Sequence, residues 1–323
     1  MTALFPPLSI NHSEMLNTDD GHSLYVETSG NPNGIPVLCL HGGPGAGMSD
    51  DYRRLFNPHL YFIIGMDQRG SGRSTPFASL ENNTTAHLLA DIRMLRKHLN
   101  IEQWVLFGGS WGATLALLAA IDDPVSVKAM VLRGIFLARE QDRYWFLSKE
   151  GGAAQIFTEH YQKFIEPVGE HDDVQALCEA YYQAMTCNDE VHKMAAVRAW
   201  CGWEERISRL QHPHGDPLEH DNVHRAISLA LMECHYLKHH CFVSENAIIN
   251  HIDKIKHIPG TIIQGRYDIV CKMEAAHTLS EHWPNSRLLI VPDAGHSASE
   301  PSIAEALVKA NEAMAAFLQE SSI

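Results

Sequence analysis

Residues 105–119 read Val105-Leu-Phe-Gly-Gly-Ser110-Trp-Gly-Ala-Thr-Leu-Ala-Leu-Leu-Ala119. An apolar run of strand length leads into Gly108-Gly109-Ser110-Trp111-Gly112, and an apolar Ala/Leu helix follows directly. Between a buried strand and a helix, a G-x-S-x-G turn is sharp enough to force its serine into a strained backbone conformation. The positions two before and two after that serine then have no room for side chains, and Gly108 and Gly112 occupy them. The Ser110 hydroxyl is expected to stand above the end of a sheet, at a helix N-terminus whose N–H groups favour negative charge. Such a serine is a candidate nucleophile if the chain also supplies a base, an acid and an oxyanion site.

Outward from this turn, strands and helices alternate. Leu24–Thr28 reads as a strand ending in the turn residues 29–34. Pro36–Leu40 and Leu60–Met66 are short apolar runs, the pattern of strands buried on both faces. Thr84 and Thr85 open a helix that carries Leu88, Leu89, Ile92, Leu95 and Leu99 on one face. After the serine turn comes a strand over Lys128–Phe136. The rhythm then changes: up to about residue 255 the segment is rich in long polar and aromatic residues at helical spacing, with no clear buried strand. Strands resume at Gly260–Gly265 and Arg287–Val291, with helices over Met273–Trp283 and Ile303–Gln319. The expectation is an α/β fold, a mostly parallel sheet flanked by helices. Residues 1–136 and 256–323 would form its core and 137–255 a helical insertion.

Composition removes several function classes. The chain has 323 residues, 45% of them hydrophobic and 20% charged, the profile of a globular protein. A net charge of −14 leaves no basic stripe for phosphates, so a nucleic-acid partner is not expected. No apolar run has the length of a membrane span, and the N-terminal MTALFPPLSINHSEML lacks the charged and apolar regions of a signal peptide. Seven cysteines without a paired framework fit a reducing compartment, and a cytoplasmic location is expected. The 21 histidines include polar clusters such as His212-Pro-His214 and His239-His240, which read as solvated surface. They show no metal-ligand spacing, so no metal is expected.

The base and acid lie far along the chain. Arg266-Tyr-Asp268 follows the Gly260–Gly265 strand, and Asp293-Ala-Gly-His296 follows the Arg287–Val291 strand. Both Asp268 and His296 therefore fall just past the C-terminal ends of parallel strands, where open α/β sheets build their sites. Ser110…Asp268…His296 is the chain order of α/β-hydrolases. In that arrangement His296 takes the Ser110 proton and returns it to the leaving group, while Asp268 fixes the imidazole tautomer. Two backbone donors are needed for the oxyanion: the N–H of Trp111, directly after the nucleophile, and that of Gly43 in His41-Gly-Gly-Pro-Gly45. This chemistry calls for no metal or organic cofactor.

HGGPG at 41–45, DQRGSGRS at 67–74, NTT at 83–85, GGSWG at 108–112, LRGIF at 132–136, GRYD at 265–268 and GHS at 295–297 together resemble the prolyl aminopeptidase family of α/β-hydrolase serine peptidases. The resemblance runs over nearly the whole chain. It implies an α/β-hydrolase fold in which 137–255 forms a helical cap over the site, and an exopeptidase acting on peptides with a free N-terminal proline. Trp200-Cys-Gly-Trp203-Glu204 resembles the family's W-x-x-W-E and Met232-Glu233-Cys-His-Tyr236 its E-x-H-Y, which implies that Glu204 and Glu233 hold the substrate amine. On residue type alone, each glutamate reads as a solvated helix face. Two carboxylates in a water-poor pocket would bind a protonated secondary amine strongly, and when empty would favour sharing a proton. Phe136, Trp145, Phe146, Trp203 and Tyr236 are candidates for the proline slot, against ordinary packing. The Cys201-Gly202 pair departs from the family pattern, and 147–195 matches it only loosely. A wider-specificity aminopeptidase or an esterase on the same scaffold is the alternative. The family often has a cysteine where Cys271 falls, and a bulky thiol adduct there would crowd Asp268 or His296.

Overall fold

The computed structural model describes residues 4–211 and 223–320. Among the described residues eight strands form one sheet: β1 (Ile10–Asn17), β2 (Ser23–Gly30), β3 (Ile35–Leu40), β4 (Tyr61–Met66), β5 (Trp104–Ser110), β6 (Val127–Ile135), β7 (Gly260–Gly265) and β8 (Ser286–Val291). Their order across the sheet is β1-β2-β4-β3-β5-β6-β7-β8. β1 and β2 pair antiparallel, as do β2 and β4; every other neighbour is parallel.

Alternation along the central strands divides the core into two layers. Leu38, Leu40, Ile64, Leu106, Met130 and Ile262 face α1 (Thr85–His98), α2 (Trp111–Asp122) and their neighbours. Val37, Cys39, Ile63, Val105, Val131 and Ile263 face α11 (Pro301–Glu320) through Ile303, Leu307 and Met314. Ten of the twelve α2 residues are buried, which is why that helix shows no amphipathic pattern. On α1, Leu88, Ile92 and Leu95 are buried as their spacing requires, with Leu89 and Leu99 at the margin.

Between β6 and β7 the described chain is helical: α3 (Glu140–Leu147), α4 (Gly152–Ile156), α5 (Thr158–Ile165), α6 (Val174–Thr186), α7 (Glu190–Ser208), α8 (Val223–Lys238) and α9 (Ala247–Asn250). α10 (Met273–His282) then links β7 to β8. An aromatic cluster of Tyr161, Phe164, Tyr181, Trp200 and Trp203 joins α5, α6 and α7. β1 was not expected from sequence: its INHSEMLN is polar and largely exposed, so neither periodicity nor an apolar run marks it. His239 and His240 are exposed, in line with a solvated cluster, whereas His212 and His214 lie outside the described residues. Among the described residues no helix is long and apolar enough to cross a membrane.

Candidate active site

Ser110 ends β5 and caps α2 with φ +59° and ψ −127°, a conformation that L-residues rarely adopt. The glycines explain how the chain holds it. A Cβ at Gly108 would lie 2.2 Å from the Gly112 carbonyl oxygen, and one at Gly112 would lie 2.1 Å from that of Leu40. Strand, turn and helix are therefore in contact where only hydrogen atoms fit.

His296 and Asp268 meet as their positions past the strand ends require. Asp268 Oδ2 lies 2.8 Å from His296 Nδ1, and both residues are buried. The remaining lone pairs of Asp268 are also used: Gln264 Nε2 donates to Oδ2 at 3.0 Å and the Cys271 N–H donates to Oδ1 at 2.8 Å. With Asp268 accepting all three of these hydrogen bonds, Nδ1 carries the imidazole proton and Nε2 presents its lone pair. Gly134 lets this pair pack against β6. Its φ is +58°, and a Cβ there would stand 2.9 Å from His296 Cε1 and 3.4 Å from Asp268 Oδ2.

Nε2 does not reach Ser110 in this structure. Arg133 Nη1 donates to it at 3.1 Å, and to the His296 carbonyl oxygen at 2.7 Å. The polar atom recorded against Ser110 Oγ is Cys271 Sγ, at 4.0 Å. Burial, and then the Asp268 charge, push the Cys271 thiol well above its ordinary range. Nucleophile–base contacts are often open before substrate binds, so the separation alone does not exclude the pair.

The glycine loop after β3 sits beside the nucleophile, where a Cβ at Gly42 would be 3.4 Å from that of Ser110. Gly43 has φ +105°, and among the described residues its N–H finds no acceptor. The loop is held by the DQRGSGRS stretch. The Gln68 N–H donates to His41 Nε2 at 2.9 Å, which obliges His41 Nδ1 to carry the proton and donate to the Gly42 carbonyl, also at 2.9 Å. Burial lowers the His41 pKa and keeps that ring neutral. The Gln68 side chain donates to the His41 carbonyl at 2.9 Å and accepts from Trp111 Nε1 at 3.0 Å, so one carboxamide ties the glycine loop to the residue after the nucleophile.

Glu204 on α7 and Glu233 on α8 lie close enough for their charges to act on one another. Burial raises the Glu204 carboxyl above its ordinary range, opposed by Arg225, His296 and Arg133. Glu233 is pushed well above that range by burial and then by the Glu204 charge. Its one hydrogen bond among the described residues comes from Trp200 Nε1–H, at 2.7 Å to Oε2. Neither carboxylate forms an ion pair there. α8 is moored to the core through Asn83, whose side-chain oxygen accepts from Tyr236 Oη at 3.0 Å and whose carbonyl accepts from His235 Nε2 at 3.0 Å.

The aromatic candidates separate. Phe136 and Trp145 border a shallow surface depression together with Ile135, Val270 and Cys271. Phe146, Trp203 and Tyr236 are buried in side-chain packing: Trp203 stacks on Phe164 and donates to the Phe146 carbonyl, and Tyr236 lies edge-on to Trp111. Arg133, Gln264 and Gln68 were not singled out from sequence. For Gln264 a signal existed, a polar side chain inside the apolar run Thr261-Ile-Ile-Gln-Gly265.

A profile of the alpha/beta hydrolase fold matches residues 35–302. A proline iminopeptidase of Xanthomonas citri is 43% identical over 319 residues, covering 98% of this chain and 100% of the relative. One from Arabidopsis thaliana is 43% identical over 316 residues, covering 98% of this chain and 83% of the relative. One from Neisseria gonorrhoeae is 43% identical over 302 residues, covering 93% and 95%. Among solved structures, an esterase from Exiguobacterium antarcticum superposes with a TM-score of 0.66 at 20% identity, covering 95% of this chain and all of that one, a likeness of fold alone. With an elbow serine, an Asp–His pair at the strand ends and relatives of this similarity over its full length, the chain belongs to the proline iminopeptidase family of α/β hydrolases.

Proposed function

We propose that the protein releases N-terminal proline from peptides through a Ser110–His296–Asp268 triad, with residues 137–255 acting as a cap that limits the substrate to a free N-terminus. The observation that carries this reading is the interacting pair of carboxyl groups, Glu204 and Glu233, which form no ion pair among the described residues, with Glu204 within electrostatic reach of His296. A prolyl ammonium is the charge they lack. With the amine anchored there, Ser110 Oγ attacks the prolyl carbonyl and its proton passes to His296 Nε2. The Gly43 and Trp111 N–H groups stabilise the oxyanion. The C–N bond breaks as Nε2–H protonates the departing amine, and water then attacks the acyl-enzyme with His296 as base, freeing proline. Phe136 and Trp145 are the aromatics best placed for the proline ring, since they are partly exposed beside Cys271, whereas Phe146, Trp203 and Tyr236 are buried. The bonds involved break without a resident metal or organic cofactor. A cytoplasmic location fits the cysteines, all seven of which are unpaired.

Hydrolysis of a proline–coumarin amide, an unblocked alanine–coumarin amide and a nitrophenyl ester separates the readings. The proline amide is expected to have the highest kcat/KM. Equal turnover of the alanine amide would indicate a broader aminopeptidase, and preference for the ester would indicate an esterase; either outcome overturns the proposal.

A further inference from the structure

Arg133 is a half-buried cation at the centre of this site with no counterion among the described residues. The fully buried arginines differ: Arg53, Arg69, Arg139 and Arg143 each pair with one or more carboxylates. Asp268, Cys271 and Glu204 are the ionisable groups that act on the guanidinium, and burial lowers its pKa. Asp268 is already committed to His296, Gln264 and the Cys271 N–H. The guanidinium lies along Gly109, where a Cβ would be 2.3 Å from Nη2, so it borders the elbow turn directly. Its Nη1 occupies the Nε2 lone pair that must accept the Ser110 proton. A productive complex therefore needs something to draw this group aside.

We infer that Arg133 binds the free α-carboxylate of the residue that follows the N-terminal proline, making Pro-X dipeptides the preferred substrates. The inference rests on the prolyl aminopeptidase reading above. When His296 protonates the leaving nitrogen, that nitrogen lies within hydrogen-bond reach of Nε2. In a dipeptide the carboxylate carbon is two bonds further, about 2.5 Å away. Nη1 sits 3.1 Å from the same Nε2, so guanidinium and carboxylate flank one imidazole nitrogen, and rotation about the N–Cα bond can bring them within ion-pair reach. Pairing with it moves Nη1 off the base. Arg133 keeps its protons throughout; the transferred proton still runs from Ser110 to Nε2 to the departing amine. A longer peptide or an amide puts a neutral carbonyl at that place, which holds Arg133 off the base less often and slows turnover without abolishing it.

The test compares Pro-Gly with Pro-Gly-amide by proline release, in the full-length wild type, R133K and R133M, with the proline–coumarin amide as reference. The wild type should favour the free carboxylate about tenfold or more in kcat/KM, with part of the gain in kcat because the base is freed. The ratio should fall close to one in R133M and keep an intermediate value in R133K. A wild-type ratio near one overturns the inference, as does a ratio undiminished in folded R133M. Should R133M not fold, R133K and the wild-type ratio at low and high salt decide, since an ion pair to Arg133 must weaken with salt. Failure to hydrolyse the coumarin amide would defeat the prolyl aminopeptidase reading itself, whereas a flat ratio beside coumarin amide turnover defeats only the carboxylate inference.

Discussion

Replacing Glu233 by Gln should move stability and activity in opposite directions. Glu233 is 5% exposed, and Trp200 Nε1–H donates to its Oε2 at 2.7 Å. The carboxamide oxygen of Gln can accept the same hydrogen bond, so the substitution removes charge and little else. Burial and the Glu204 charge hold the native carboxyl well above its ordinary 4.5. Between that value and the raised native pKa the folded protein keeps a proton that the unfolded chain has released. Stability from this group is therefore present below pH 4.5 and lost as pH rises through the native pKa, at about 1.4 kcal/mol for each unit of separation. Glu233→Gln abolishes that loss. The variant should match the wild type near pH 4 and exceed it near pH 8. Catalysis should suffer instead. A unit charge pair about 4 Å apart is worth roughly 4 kcal/mol at an effective dielectric of 20; with Glu204 still present, about 2–3 kcal/mol of that is lost. This corresponds to a roughly 30- to 150-fold fall in kcat/KM on the proline–coumarin amide. Thermal unfolding at both pH values and initial rates provide the readouts. A variant less stable than wild type near pH 8, or one within threefold of wild-type kcat/KM, would refute the clamp.

Gly134→Ala places a Cβ 2.9 Å from His296 Cε1 at a φ of +58°. It should cost about 1–2 kcal/mol in urea unfolding and lower kcat roughly ten- to a hundredfold with KM little changed, as the imidazole shifts. Cys271→Ala should resist inactivation by a mercurial, because an adduct on a sulfur 4.0 Å from Ser110 Oγ displaces both the nucleophile and the N–H that holds Asp268; full sensitivity of the variant would refute this. Gly202→Ala lies in α7 with nothing within 4 Å of the new Cβ. It should raise the unfolding free energy by about 0.5–1 kcal/mol, read as a higher urea midpoint with an unchanged m-value.

The parts of the site legible in sequence are those fixed by local geometry. Ser110 is announced by glycines whose missing Cβ atoms make the turn possible, and Asp268 and His296 by their places just past apolar strands. What escaped reading depends on contacts between distant segments. Nothing in the LRGIF stretch reveals that Arg133 reaches a histidine 163 residues on. Gln68 reads as one polar residue in a loop until Trp111 and His41 are folded against it. Trp203 and Tyr236, one residue before Glu204 and three after Glu233, were reasonable slot candidates. Their buried rings show that proximity in sequence to the clamp does not separate a pocket wall from the packing behind it.

The most direct test of the central claim is intact-mass and peptide analysis after reaction with a fluorophosphonate, with proline–coumarin amide hydrolysis followed in parallel. The account predicts one adduct per chain, carried on the peptide containing Ser110, with activity lost in proportion to labelling and protected by a prolyl substrate. Labelling at another residue, or full activity in the labelled protein, would contradict it.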